Sequence, residues 1–210
     1  MNTTLVIDKV DRTTLPDAGG SDPASKRIVV AYGFWIFLLS DVVMFSTLFA
    51  SYAVLVRATA DGPTGAALFN QANVAIETAC LLASSYTCGL MSLAVNTRRR
   101  GAIYFFAAAT FVLGATFLNL EIHEFAAMIA RGATPRRSAF LSAFFTLVGC
   151  HGLHVTAGLV WLVVMMAQVA VKGFRSDVGR RLLCFALFWH TLDIVWVWLF
   201  TVVYLMGNRP

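Results

Sequence analysis

Charge is scarce in this chain. Only 13% of its 210 residues are Asp, Glu, Lys or Arg, against 59% hydrophobic residues, and that balance excludes an ordinary soluble domain. Cysteine is sparse too. Cys80, Cys88, Cys150 and Cys184 all lie inside apolar stretches and show no CxxC spacing, which supports neither a disulfide framework nor a zinc ribbon. They read as small buried hydrophobes. Residues 1 to 27 lack an apolar h-region and are rich in Asp, Thr, Pro and Gly. No signal peptide is expected there; the segment reads as a disordered cytoplasmic tail, with the first helix acting as its own insertion signal. The net charge of +5 suggests no nucleic-acid partner, because no basic run is interleaved with aromatics outside the apolar segments. There is no internal repeat.

What the chain does have is long apolar runs and a mean hydropathy of +0.74. About 20 apolar residues cross ~30 Å of hydrocarbon at 1.5 Å per residue. Five segments qualify: Ile28 to Val56, Val74 to Val95, Ala102 to Ile122, Ala139 to Val171 and Leu182 to Met206. The fourth exceeds what a membrane requires and must tilt or protrude. The expected fold is an all-α polytopic membrane protein, a five-transmembrane-helix bundle. With the N-terminus cytoplasmic, the inner side holds Lys9, Arg12, Lys26 and Arg27, then Arg98, Arg99 and Arg100, then Lys172, Arg175, Arg180 and Arg181. The outer side holds fewer: Arg57, Arg131, Arg136, Arg137 and Arg209. The positive-inside rule therefore places the C-terminus on the periplasmic side.

An ionisable group at mid-bilayer costs several kcal/mol, from about 3 to above 10, so each one calls for an explanation. Asp41 in the first helix, His151 and His154 in the fourth, and His190 and Asp193 in the fifth all fall roughly 12 to 23 Å from a membrane face. A common depth would let them meet in one buried polar layer. His151 and His154 share a helix face through i, i+3 spacing, as do His190 and Asp193. Two histidines and a carboxylate suit iron or zinc; interhelical hydrogen bonding without a metal is the other reading, and Gly149, Gly152 and Gly158 around the histidines mark a close helix contact. Asp41 is either a proton-exchanging carboxyl group or a hydrogen-bond donor that packs helices.

Glu121 and Glu124 bracket His123 at the outer end of the third helix, and Glu77 lies near the outer end of the second. They form a cation or proton antenna, or are simply solvated at the interface, within reach of Arg131, Arg136 and Arg137 for charge neutralisation. Trp35, Trp189 and Trp198 read as interfacial anchors. Trp196 is deeper and is expected to pack against a neighbouring helix or an acyl chain.

Three stretches carry a family resemblance: GFWIFLLSDVVMFSTLFASY (Gly33 to Tyr52), RSAFLSAFFTLVGCHGLHVTAGLVW (Arg137 to Trp161) and LFWHTLDIVWVWLFTVVYLMG (Leu187 to Gly207). From about residue 28 onward the chain resembles subunit III of haem-copper terminal oxidases, and within that family the quinol-oxidising cytochrome bo branch. Five helices rather than seven, Asp41 where cytochrome c oxidase relatives usually carry Glu, and Glu77 with the RSAFLSAFF stretch point to that branch. Cys150 departs from the Thr common there.

The resemblance implies a non-catalytic subunit of a proton-translocating ubiquinol oxidase in the bacterial inner membrane. Its partners would be subunit I chiefly, subunits II and IV, and membrane lipids. No redox cofactor is expected in this chain, since the family's haems and copper belong to subunit I. Asp41 matches the family's carbodiimide-reactive carboxylate, Glu121 matches a carboxylate beside a cleft that holds phospholipid, and His190 with Asp193 match the WHxxD motif. The rival readings are subunit III of a cytochrome c oxidase, a stand-alone proton-coupled transporter, and a membrane metalloenzyme. Against the transporter stand the odd helix number and the lack of a span broken by Pro or a Gly pair.

Overall fold

The computed structural model describes residues 23–60, 71–97, 99–173 and 176–206. Five long helices account for nearly all of them: α1 (Pro23–Leu55), α2 (Gln71–Asn96), α3 (Arg100–Ala130), α4 (Ala139–Lys172) and α5 (Ser176–Leu199), which continues as a π-helical segment, Phe200–Met206. No strand occurs among the described residues. Each helix carries a stretch long and apolar enough to cross a membrane. The expected tail lies outside the described residues from 1 to 22, as do Arg98, Arg175 and Arg209.

Two helices run further than their apolar runs suggest. α1 begins at Pro23 rather than Ile28, where Pro sets the helical φ without costing a needed N–H. α3 continues past Ile122 to Ala130. His123 and Glu124 interrupt the apolar run, but Phe125 packs against the core and Met128 is buried, so the helical period survives the polar pair. Gly132, at φ +78, then closes α3. The Ala133 N–H bonds the Met128 carbonyl at 3.0 Å, a left-handed turn that a residue with a Cβ adopts at a cost. α4 starts on a side-chain cap, the Ser138 hydroxyl accepting from the Leu141 N–H at 3.2 Å.

α2 and α3 form a hairpin over a three-residue link and make the most extensive helix contact in the bundle. α5 packs on both α2 and α4, α3 packs on α4, and α1 lies chiefly against α4 with a smaller contact to α5. The core is aromatic. Trp189, Trp196, Phe117, Phe144, Phe185, Tyr52 and Tyr204 are all fully enclosed. Large apolar side chains, among them Leu39, Phe105, Val112, Leu153, Val160 and Ile194, point outward, a belt that water would penalise and lipid solvates. α1 is the least covered span: 11% of its most apolar stretch is buried, against 50% for α5.

Candidate functional site

α5 supplies the centre of the bundle. Trp189 is only 1% exposed, and its indole N–H donates to the Ser84 hydroxyl of α2 at 3.1 Å. One register lower, the Trp196 N–H donates to Thr78 of α2, also at 3.1 Å. Hydrogen bonds of this kind between membrane helices are worth about 0.6 to 2 kcal/mol each. Room for the Trp189 ring comes from two glycines. A Cβ on Gly158 of α4 would sit 2.8 Å from the ring, and one on Gly114 of α3 would sit 3.0 Å from its far edge. Trp189 is therefore a core residue rather than an interfacial anchor, while Trp35 and Trp198 are exposed.

The carboxylates Glu77, Glu121 and Glu124 are less solvated than an interfacial position suggests. Glu77 is 1% exposed and Glu121 4%, while Glu124 is half-buried. Burial follows from the longer α3, which carries Glu121 more than two turns inside its C-terminal end, against α4. The Glu121 carboxylate fills the space a side chain on residue 152 would take: a Cβ on Gly152 would lie 3.1 Å from its Oε1. Glu77, Glu121 and Glu124 lie within electrostatic reach of one another and of the Tyr204 hydroxyl. One oxygen each of Glu77 and Glu124 and both of Glu121 are enclosed with no hydrogen-bond partner among the described residues. Beside Glu77 and Glu124 a cavity of about 180 Å³ opens, with His123 and Arg131 on its wall. Arg131 shares that cavity wall with Glu77 and Glu124, Arg137 donates to the Gly132 carbonyl, and all three arginines, Arg136 included, are exposed.

The mid-membrane groups divide into three places instead of one layer. Asp41 of α1 is half-buried and faces His154 and Cys150 of α4. The His154 Nδ1–H donates to the Cys150 carbonyl at 2.8 Å. His151 lies at the bundle centre, fully buried in an aromatic box: Phe117 at 5.9 Å edge-on, Trp196 at 5.2 Å and Phe45 at 6.3 Å between ring centres. Neither of its ring nitrogens has a hydrogen-bond partner among the described residues. His190 and Asp193 turn toward α2, where the Ser85 hydroxyl and His190 Nδ1 share a hydrogen bond of 2.7 Å. Asp193 lies beside both. Among the described residues no three His, Cys, Asp or Glu side chains come together as metal ligands, so the two-histidine, one-carboxylate grouping does not assemble.

Several partners were not singled out from the sequence: Thr78, Ser84 and Ser85 of α2, Thr110 of α3, bonded to Thr87 at 2.8 Å, and the buried Tyr52 and Tyr204. Hydroxyls recurring along one stripe of an apolar span were the available signal.

Fold and site together define a polytopic membrane protein whose aromatic core is bordered by enclosed carboxylates and histidines and whose lipid-facing surface leaves one helix nearly bare. The chain belongs to the cytochrome c oxidase subunit III family, whose model matches residues 16–208. It is 50% identical over 191 residues to the cytochrome bo(3) ubiquinol oxidase subunit 3 of Pseudomonas aeruginosa, covering 91% of this chain and 88% of the relative. The protein of that name from Buchnera aphidicola subsp. Acyrthosiphon pisum is 37% identical over 203 residues, covering 97% and 99%. The quinol oxidase subunit 3 of Bacillus subtilis is 43% identical over 178 residues, covering 83% and 86%.

Proposed function

We propose that this chain is the non-catalytic third subunit of a cytochrome bo-type ubiquinol oxidase in the bacterial inner membrane, with its N-terminus cytoplasmic and its C-terminus periplasmic. It binds subunit I chiefly, with subunits II and IV in the same complex. Ubiquinol oxidation, reduction of oxygen to water and proton translocation are carried out by the complex, with haems and copper in subunit I. The observation that carries this reading is 50% identity over nine-tenths of the chain to a relative bearing that name. The relatives favour it over a cytochrome c-oxidising complex, a solitary transporter or a metalloenzyme.

The chain's own contribution is positional. Asp41 sits on the least covered helix, against His154, where a carboxyl group can exchange protons with polar groups of a partner subunit. Phospholipid bound along that helix would fill its bare apolar face. Glu121 sits at the α3–α4 contact, against Gly152, as a carboxylate beside a lipid-holding cleft.

The test is to tag this chain, purify it from its own membranes in mild detergent, and record the reduced-minus-oxidised optical spectrum together with oxygen uptake. Haem bands with quinol-driven uptake are expected. Cytochrome c-driven uptake would move the chain to the other branch, and a haem-free solitary protein would overturn the assignment.

A further inference from the structure

A carboxylate taken out of water needs a donor or a cation beside it. Glu77 is 1% exposed and forms part of the wall of the cavity of about 180 Å³ between α2 and α3, yet its Oε2 has no hydrogen-bond partner among the described residues. Glu124, on the same wall, leaves its Oε1 in the same condition. Glu121, one turn earlier on α3, has both oxygens unpartnered among those residues and lies within electrostatic reach of the other two.

The two helices bring oxygen donors to one small space that water can enter. Asn73 and Glu77 stand one turn apart on α2, and His123, Glu124 and Arg131 follow one face of α3. Glu77 and Glu124 each lie six residues inside a helix end, at Gln71 and Ala130, or about 9 Å along the axis. An ion from the adjoining water therefore reaches them without crossing the hydrocarbon core. Asn73, His123 and Arg131 are exposed, which leaves the cavity open to that water.

Charge and donor set select the ion. Three ionised glutamates against the one guanidinium of Arg131 leave two net negative charges, which a single divalent cation cancels. Among the described residues no three His, Cys, Asp or Glu side chains converge as ligands, so ions that require an imidazole or thiolate set find none. Mg²⁺ has other needs: it keeps several of its waters and binds through one or two carboxylates, and the cavity has room for several waters.

We propose that this cavity is a site for hydrated Mg²⁺, held by Glu77 and Glu124 with the Asn73 amide oxygen beside them, and that Glu121 adds attraction from behind. The ion ties the start of α2 to the end of α3, at the open end of their hairpin. The proposal concerns this chain alone and does not rest on the oxidase reading.

The test uses Mn²⁺, an ion of the same charge that suits the same oxygen donors. The tagged chain, in the complex with which it purifies, is stripped with EDTA and titrated with Mn²⁺ while bound ion is counted by electron paramagnetic resonance; sites elsewhere in the complex cancel in the difference between wild type and variant. The expected result is a bound Mn²⁺ that excess Mg²⁺ displaces and that Glu124→Gln or Glu77→Gln weakens by about 10- to 100-fold. Arg131→Gln removes the competing positive charge and should tighten binding. Equal Mn²⁺ binding in wild type and both Gln variants would overturn the proposal, as would preferential binding of Zn²⁺ through His123. Absence of any ion that Mg²⁺ displaces would overturn it as well, and loss of a protonated-carboxyl infrared band in Glu124→Gln would then put protons in the ion's place. If the Gln variants fail to assemble, Arg131→Gln decides: tighter binding supports the site, and unchanged or weaker binding overturns it. Haem content, read on the same samples, reports on the oxidase reading separately.

Discussion

Replacing Gly158 with Ala tests the packing account of the bundle most directly. The new methyl would lie 2.8 Å from Cζ3 of Trp189, 3.0 Å from Cε3 and 3.2 Å from Cε1 of Phe188. Carbon contacts settle at about 3.5 to 4.0 Å, so something must move by most of an ångström. The indole ring has nowhere to go: its N–H is held by Ser84, and Gly114 already lies against its other edge. Overpacking of this kind costs about 1 to 3 kcal/mol, partly offset by the gain of about 1 kcal/mol from placing Ala instead of Gly in a helix. Gly33→Ala provides the reference, since a Cβ there would meet nothing within 4 Å and the helix gain is common to both. The two variants should differ by about 2 kcal/mol, or roughly 4 to 8 °C in Tm for a chain of this size. Thermal unfolding of the detergent-solubilised complex, followed by tryptophan fluorescence, measures the gap. Equal melting would refute the clamp, and Gly158→Ala should lose most of its penalty when Trp189 is also changed to Leu.

Other substitutions probe the site. His151→Phe removes two enclosed nitrogens that have no partner and keeps an aromatic ring in the box, so stability should be unchanged or higher; a loss above about 2 kcal/mol in thermal unfolding would expose a partner for the imidazole. Trp196→Phe removes the N–H that donates to the Thr78 hydroxyl and shrinks the ring against His151, and should lower stability by about 1 to 2 kcal/mol, with Thr78→Val as the smaller counterpart. Asp41→Asn should leave haem content intact while lowering quinol-driven oxygen uptake or its persistence over many turnovers; complete loss of haem would make Asp41 a purely structural residue.

Depth and number were legible in the sequence because both follow from counting apolar residues against the thickness of a bilayer. Azimuth was not. His151, His154, His190 and Asp193 lie at similar depths, yet which neighbour each one meets depends on how α4 and α5 rotate against α1 and α2, and that rotation is decided by distributed packing such as Trp189 between Gly114 and Gly158. The i, i+3 pairing of His190 with Asp193 did mark a shared face, but the residue completing it, Ser85, lies 105 positions away and carries no charge to draw notice. Glu77 and Glu121 were hidden for a related reason. Carboxylates at the edge of an apolar run read as wet, and only the continuation of α3 to Ala130 carries them inside.

The π-helical finish of α5 has a consequence for the length of the chain as well as for its composition. Each residue of an α-helix advances about 100° around the axis, and a wider turn absorbs an additional residue while the axis continues. Along Phe200–Met206 this brings two successive side chains, Val203 and Tyr204, both inward, the latter with its ring 6.3 Å from Trp196 and 6.2 Å from Phe144. Deleting one residue between Phe200 and Val203 would restore an ordinary winding, swing the phenol by about a quarter of a circle, and take its hydroxyl away from the three glutamates without altering a single side chain among them.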